Sequence, residues 1–182
     1  SWCYVINRHE AFKTSFTGFE DQNIHQLVNK EIGFQVIEED WRPYPGEKQQ
    51  VELAAYKKRD KERGFSFDKA PLTRIHLIRL GEEKYHFIWT IHHVLLDGWC
   101  LPTAFGEVLT AYGAFTEGDA PVLPGVTPYE NYIAWLFSRD KEKALGFWKE
   151  ELTGLSSPTH LSVDRLKGDT ENPGYREMKL TL

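Results

Sequence analysis

Apolar residues recur at two spacings along the chain, and each spacing predicts a different kind of secondary structure. An apolar face that repeats about every third or fourth residue is typical of an amphipathic helix, whereas strict alternation is typical of a strand. The pattern predicts helices over residues 2–9, 47–63, 101–115 and 129–152. Strands are predicted over residues 11–16, 24–28, 34–37, 74–80, 85–92 and 175–182. This mixed order predicts a layered α/β or α+β fold.

Two of the predicted strands form the clearest unit in the chain. Residues 74–80 and 85–92 are joined by the short turn 81–84, which predicts a β-hairpin. Both faces of the second strand are largely apolar, so we expect a central strand that is buried on both sides. The charge run at residues 57–63 lies in the helix before this hairpin and is interpreted as a solvated helix face.

Composition narrows the class of protein. The 182 residues are enough for one domain with a sizeable core, and 41% hydrophobic with 14% aromatic residues indicates a folded chain. The net charge is −5 with both signs mixed along the chain, so nucleic acid is not an expected partner. No apolar run approaches the roughly 20 residues of a membrane span. Cys3 and Cys100 have neither metal spacing nor a disulfide framework, which favours a reducing cytoplasm.

The candidate chemistry lies where the last hairpin strand ends. His92 and His93 are adjacent, and adjacent strand residues point to opposite faces, so we expect only one ring to face a substrate. His93 is next to the loop and is the better candidate, because the pKa of histidine suits proton transfer near neutral pH. Asp97 either orients an imidazole or holds the loop through an ion pair, and Gly98 permits a sharp turn. By residue type alone, a structural core histidine stays the alternative.

Other chemistry is less well supported by the residues. A zinc site at His92, His93 and Asp97 is disfavoured, because adjacent strand histidines diverge and no further ligand follows at a suitable spacing. The serines and cysteines lack a nucleophile-elbow context, which disfavours a covalent acyl-enzyme. Backbone N–H groups opening the next helix offer a site for an oxyanion or phosphate. Four tryptophans are interpreted as core residues rather than a binding platform: Trp89, Trp99, Trp135 and Trp148.

Four segments resemble the motifs of one family. His92 to Trp99, HHVLLDGW, resembles the HHxxxDGW motif of condensation domains of nonribosomal peptide synthetases, within the wider HHxxxDG acyltransferase superfamily. RHEAFKTSF at residues 8–16 is similar to the family's RHExLRTxF segment, and FDKAPLTR at 67–74 to its FDL…PLxR segment. YENYIAW at 129–135 is similar to its YxDYAxWQ segment. The four occur in the family's order and cover essentially the whole chain.

The resemblance implies a chloramphenicol-acetyltransferase-like α/β (α+β) sandwich, with a mixed sheet flanked by helices. The family has two such subdomains that form a V, with the active site at their junction. We therefore expect residues 1–182 to be the N-terminal subdomain, without its first segment and without the C-terminal subdomain. The predicted first helix agrees with this expectation, because it begins at the start of the chain without a capping residue.

The resemblance also implies an activity and a division of roles. A donor acyl or peptidyl thioester and an acceptor aminoacyl thioester, both carried on phosphopantetheine arms of peptidyl carrier proteins, are joined by an amide bond. His93 would position the amine or act as general base, with His92, Gly98 and Trp99 supporting it and with Gly98 leaving room for the donor arm. No cofactor is expected to bind directly, and an adjacent adenylation domain is an expected partner.

Asp97 would be structural, paired with a basic residue of the segment 8–13. Lys13 stands where the family usually has Arg, and Lys cannot make the same bidentate pair, so Arg8 is the other candidate partner. Trp99 favours a condensation over an epimerisation domain, and the paired histidines disfavour heterocyclisation. A stand-alone acyltransferase and a non-catalytic recruitment domain of the same fold stay open as alternatives.

Overall fold

A computed structural model of the chain describes residues 1–157, and the strand predicted over residues 175–182 lies outside them. The helices are α1 (Trp2–Arg8), α2 (Gly46–Arg63), α3 (Cys100–Glu117), α4 (Tyr129–Phe137) and α5 (Lys141–Glu151). The strands are β1 (Thr14–Thr17), β2 (His25–Val28), β3 (Val36–Asp40), β4 (Thr73–Arg79) and β5 (Tyr85–Ile91). The chain divides into two units, Ser1–Phe137 and Ser138–Leu182. All five strands belong to the first unit.

The first unit contains two small sheets. Strands β3, β4 and β5 form one sheet in that order, with β3 parallel to β4 and β4 antiparallel to β5. The parallel pair is connected through α2, as a parallel pair requires a crossover, and the antiparallel pair is the predicted hairpin. Strands β1 and β2 form a separate antiparallel pair. The predicted mixed sheet with helices is therefore confirmed.

Strand β5 is partly covered on both faces, and none of its residues is fully buried. Trp89 packs against Trp2 of α1 with ring centroids 4.8 Å apart, and Ile88 packs on the opposite side against the cluster around Leu53 of α2. Among residues 1–157, β4 is central and β5 is an edge. Within these residues, helices account for the apolar side chains on both faces of β5, which is less buried than its apolar pattern predicted.

Two apolar clusters hold the sheet between its helices. The first lies under α1 and contains Ile6, Phe12, Phe34 and Ile75, all buried. The second lies under α2 and contains Trp41, Leu53 and Ile78. Ile75 and Ile78 are three positions apart on β4 and so project from opposite faces of the sheet. Strand β4 is thus the element that both clusters share.

Three elements differ from the sequence predictions by more than two residues. The strand predicted from residue 11 begins at Thr14, because residues 10–13 form a 3₁₀ helix. The strand predicted over residues 34–37 is shifted to β3. The single helix predicted over residues 129–152 is wrong, because residues 138–140 separate α4 from α5. The Asp140 side chain accepts a hydrogen bond from the Lys143 backbone N–H at 2.9 Å and so caps α5, as aspartate at this position commonly does.

The charge run of α2 contains one buried carboxylate. Lys57, Lys58 and Arg59 are exposed, as the interpretation of a solvated face requires. Asp60 is only 8% exposed, and its Oδ1 lies 2.8 Å from Nε of Arg74 on β4. The interpretation is therefore wrong for Asp60, whose side chain turns toward the sheet.

Neither a membrane-spanning helix nor a metal cluster is found in residues 1–157. No helix there has the length and apolar character needed to cross a bilayer. No group of three or more histidine, cysteine, aspartate or glutamate side chains in the same residues is arranged to hold a metal ion.

The burial of Ile75 in the first cluster predicts how its replacement affects stability. Replacing this fully buried side chain with alanine should lower the free energy of unfolding by about 2–5 kcal/mol, since it removes apolar contacts and leaves a cavity. The matched change Ile24→Ala, at a side chain that is 58% exposed, should shift it by no more than about 0.5 kcal/mol. Urea denaturation of both variants measures the difference, and equal losses would contradict the assignment of the core.

Candidate active site

The candidate site is a turn at the end of β5. The backbone N–H of His92 donates to the Leu72 carbonyl at 3.0 Å, which is the last contact that this segment makes with the strand beside it. The chain then turns, and the N–H of Leu95 donates to the His92 carbonyl at 3.0 Å. The histidine pair therefore lies in a hydrogen-bonded turn that is anchored to the sheet at its first residue.

The His92 ring faces the inside of this turn. It is half-buried and meets the edges of Phe67 and Phe65, with ring centroids 4.7 Å and 6.2 Å away. Its Nδ1 lies 3.1 Å from the backbone N of Val94. An N–H can only donate, so Nδ1 of His92 must accept, and the neutral ring carries its proton on Nε2. Nδ1 of His92 therefore serves as an acceptor inside the turn, which gives this ring a structural role.

The His93 ring takes the opposite tautomer. It is exposed, and its Nδ1 lies 3.1 Å from the carbonyl oxygen of Leu96. A carbonyl oxygen can only accept, so Nδ1 of His93 must carry the proton in this contact. The lone pair of the neutral ring is then on Nε2, the nitrogen that is not engaged by the turn. Of the two adjacent histidines, His93 is the one arranged to accept a proton from a bound molecule.

Asp97 closes the turn by capping α3. Its Oδ1 accepts hydrogen bonds from the backbone N–H groups of Trp99 and Cys100, at 3.0 Å and 3.2 Å. A hydrogen bond from the Cys100 thiol, together with these backbone bonds, lowers the pKa of the Asp97 carboxyl. Burial, and then the bond to Asp97, raises the pKa of the thiol. These N–H groups are occupied by Asp97, so the oxyanion or phosphate site expected at this helix end is not free.

The predicted ion pair of Asp97 is not formed. Arg8 Nε lies 3.3 Å, and His9 Nε2 2.6 Å, from Oε2 of Glu107 on α3, and the Arg8 guanidinium also donates to the Pro124 carbonyl. Within residues 1–157, neither Asp97 nor Lys13 takes part in an ion pair. Glu107 was not among the predicted site residues, although a signal was present: it is the one charged residue of α3 before Glu117, the last residue of the helix.

The backbone at Gly98 does not take the conformation for which glycine was expected. The Gly98 backbone is not in the left-handed region, and a Cβ there would meet no atom within 4 Å. The turn therefore does not require glycine, and the space in front of Gly98 is open.

Trp99 is 89% exposed, and Trp135 and Trp148 are about half exposed, so the core interpretation was wrong for these three. Only Trp89 packs into the core as predicted.

A cavity of about 330 Å³ lies beside the turn. Its walls come from the segment 9–12, from Leu96 and Asp97, and from the first residues of α3, including Trp99. Asp97 and His9, which binds Glu107, thus line the same cavity. A ligand in it would lie next to the turn that carries His93.

Contacts link the four motif segments to one another. Glu10 of the segment 8–16 accepts a hydrogen bond from the backbone N–H of Tyr129, the first residue of the segment 129–135, at 2.8 Å. Phe12 packs in one cluster with Ile75, which directly follows the segment 67–74. Phe67 contacts His92, the first residue of the segment 92–99. Segments far apart in the sequence are therefore joined by direct contacts.

Comparison with known proteins gives one family. The family model "Condensation domain" matches residues 1–180. A linear gramicidin synthase polypeptide of Brevibacillus parabrevis is 36% identical over 184 residues, which cover all of this chain and 4% of that protein. Bacitracin synthase 3 of Bacillus licheniformis is 33% identical over 179 residues, covering 98% of this chain and 3% of that protein. The chain thus spans a small part of the relatives that it matches.

Solved structures agree on the fold. The starter condensation domain of rhizomide synthetase RzmA is 16% identical with a TM-score of 0.71, covering 86% of this chain and 38% of that one. The EpoB cyclization-docking bidomain from Sorangium cellulosum is 17% identical with a TM-score of 0.71, covering 83% of this chain and 30% of that one. The similarity at this level of identity shows a common fold.

The capping role of Asp97 predicts a pH-dependent stability. In the folded chain the pKa of its carboxyl lies below 3.8, so the charged form stabilises the fold above that pH, and this contribution disappears as the pH falls through the folded pKa. Asp97→Asn keeps an oxygen acceptor but removes the charge. The stability difference from the parent chain should therefore be largest at neutral pH and become smaller as the pH falls into acid, as measured by urea denaturation midpoints between about pH 7 and about pH 3.

The variant Asp97→Ala is the control, because it removes the acceptor as well as the charge. It should be less stable than Asp97→Asn at every pH, since two backbone N–H groups lose their partner. A difference between the parent chain and Asp97→Asn that does not change with pH would contradict the assigned role.

Proposed function

The chain belongs to the condensation domain family, and from that premise we propose that it carries the site that joins two carrier-bound thioesters through an amide bond. The donor is an acyl or peptidyl thioester and the acceptor an aminoacyl thioester, each held on the phosphopantetheine arm of a carrier protein. The observation that carries the proposal is the unengaged Nε2 of the exposed His93. It is a positioned base at the end of a rigid strand.

In the proposed reaction, the acceptor amine nitrogen attacks the donor thioester carbonyl carbon. The carbonyl oxygen becomes an oxyanion, and the Nε2 of His93 accepts a proton from the attacking nitrogen. The tetrahedral intermediate then collapses, the carbon–sulfur bond breaks, and the proton passes to the leaving thiolate. A positioned general base typically contributes about 10²–10⁴-fold to the rate. No cofactor is needed, because the arms bring both reacting groups.

The backbone contact of His93 supports this role. A base must present the correct nitrogen, and the bond from Nδ1 to the Leu96 carbonyl keeps the lone pair on Nε2. Leu96 precedes Asp97, whose cap on α3 fixes the other end of the turn. In this proposal Asp97 is structural and acts through the helix, without an ion pair to Arg8 or Lys13.

Gly98 and the neighbouring cavity support a route for one arm. Because nothing lies within 4 Å of a Cβ at Gly98, the backbone there leaves room for a narrow chain such as a phosphopantetheine arm. We place the donor arm at this position, with the exposed Trp99 ring beside it. The partners in the proposal are a donor carrier, an acceptor carrier and an adjacent adenylation domain.

We also propose that these residues are the N-terminal subdomain of a condensation domain. The structural match covers 86% of this chain but 38% of a solved condensation domain, which supports a part rather than a whole. On this view a second subdomain supplies the other wall of the reaction site.

Changing His93 to alanine tests the function. In a synthetase that carries this chain together with the proposed second subdomain, His93→Ala should lower amide formation between loaded carriers by about 10²–10⁴-fold, because the base is lost. Mass spectrometry of the acceptor carrier measures the product. His25→Ala, at an exposed histidine of β2, is the matched control and should keep the parent rate. Parental turnover by a folded His93→Ala protein would contradict the proposal.

The isolated chain should be inactive. If a second subdomain completes the site, the 182 residues alone have no enclosed place for two arms. Incubating them with both loaded carriers should give no product above the carrier-only background. Adding the rest of the synthetase as a separate polypeptide should restore some turnover, whereas measurable turnover by the 182 residues alone would refute the subdomain assignment.

A further inference from the structure

A buried ion pair lies behind the histidine turn, outside the residues that the proposed reaction uses. Nε of Arg74, at the start of β4, donates to Oδ1 of Asp60 on α2 at 2.8 Å. The Arg74 side chain is 14% exposed and that of Asp60 only 8%. Charged residues are rarely this buried unless they are paired and hydrogen-bonded, so the pair calls for a structural explanation.

The Arg74 guanidinium is held on every side that the structure describes. Nη1 donates to the Gly64 carbonyl at 2.7 Å, and Nη2 donates to the Asp60 carbonyl at 3.1 Å. Its flat face lies over the Phe65 ring, 4.1 Å from the ring centroid. These contacts use the planar fork of arginine, which lysine cannot reproduce. Arg74 therefore fixes the chain at the point where it leaves α2.

Asp60 joins the same group to β5. Its Oδ2 accepts a hydrogen bond from Thr90 Oγ1 at 2.6 Å, two residues before His92. Burial raises the pKa of Asp60, but the hydrogen bonds from Arg74 and Thr90 outweigh it and leave the pKa lowered. One carboxylate thus ties α2, β4 and the end of β5 together.

Phe65 and Phe67, which follow α2, connect this ion pair to the His92 ring. Phe65, stacked on Arg74, meets the His92 ring edge-on at 6.2 Å between ring centroids, and Phe67 meets it at 4.7 Å. The Nδ1 of His92 in turn holds the Val94 N–H inside the turn that presents His93. The contacts form an unbroken path from Asp60 to the reacting turn.

We propose that Asp60, Arg74 and Phe65 are positioning residues that hold the His92 ring, and through it the turn that orients His93. The inference rests on the proposed function of His93, and it adds three residues that act on the turn through the His92 ring and the end of β5. A buried ion pair is weak evidence for stability, because well-packed apolar residues often replace such a pair without loss. In this protein the ion pair instead holds Phe65, which contacts the His92 ring, and Thr90, which lies two residues before His92.

Arg79 provides a matched comparison on the same strand. It also pairs with a carboxylate, that of Glu82 at 3.1 Å, and lies near an aromatic ring, that of Tyr85 at 5.7 Å. Its contacts lie at the other end of the hairpin, beside the turn 81–84, and its pair is exposed to solvent. Arg79→Lys therefore makes the same chemical change away from His92.

The kinetic test uses a synthetase that carries this chain together with the proposed second subdomain, with two loaded carriers. Arg74→Lys and Phe65→Leu should each lower kcat by about 10- to 100-fold with little change in KM, since a small misplacement of a reacting group has effects of this size. Phe65→Leu is the safer variant for folding, because it leaves the Asp60–Arg74 pair intact. Arg79→Lys should keep the parent kcat.

A second readout does not depend on catalysis. Diethyl pyrocarbonate adds to unprotonated imidazole nitrogens, and mass spectrometry resolves singly and doubly modified peptides. In the parent protein the Nδ1 of His93 is engaged by Leu96, so single modification should dominate. Arg74→Lys and Phe65→Leu should increase the doubly modified His93 fraction several-fold. The exposed His25 should react equally in all variants and serves as the internal control.

The outcomes separate this inference from the proposed function. Variants with parental kcat and parental His93 modification, and only a lower Tm, would overturn the positioning role while leaving the function of His93 intact. If the parent synthetase forms no amide, the proposed function fails, and the modification pattern alone still decides whether the three residues hold the turn. Reduced kcat in Arg79→Lys as well would also overturn the inference, because the effect would not be specific to the path through His92.

Discussion

The hydrogen bond between His93 Nδ1 and the Leu96 carbonyl decides what the exposed ring can do. At 3.1 Å it places the ring proton on the nitrogen that faces the chain, and it leaves the lone pair on the nitrogen that faces solvent. The neighbouring ring of His92 has the opposite arrangement, because its Nδ1 accepts the Val94 N–H. Two identical side chains, adjacent in sequence, thus take opposite tautomers through one backbone contact each.

These contacts depend on elements that hold both ends of the turn. At one end, His92 is bonded to the Leu72 carbonyl and packed on Phe67. At the other, Asp97 caps α3 through two backbone N–H groups. Beneath the turn, the buried carboxylate of Asp60 joins α2 to both strands of the hairpin. The turn is therefore hydrogen-bonded to the fold at both ends, and it is open where Gly98 and Trp99 meet solvent.

Local patterns in the sequence predicted much of this arrangement. The hairpin, α2 and α3 follow from alternation, helical spacing and turn residues, which are properties of neighbouring positions. The ordered motifs predicted the family and the fold. Partners distant in sequence were not predictable in this way. Asp60 is buried only because Arg74 folds onto it, and Arg8 pairs with Glu107 rather than Asp97 because α3 brings that carboxylate closer. The edge position of β5 likewise depends on which strand pairs with β4, which the apolar pattern of one strand does not encode.

Measuring the tautomer of His93 tests most directly whether the Leu96 contact leaves the lone pair on Nε2. Two-dimensional ¹H–¹⁵N NMR of the ring nitrogens, with the histidines ¹⁵N-labelled, distinguishes a protonated nitrogen from one that carries a lone pair. At a pH where the rings are neutral, we predict a proton on Nδ1 and a lone pair on Nε2 for His93, and the reverse for His92. A neutral His93 ring with its proton on Nε2 would contradict this assignment, because its lone pair would then lie on Nδ1, which faces the Leu96 carbonyl and not solvent.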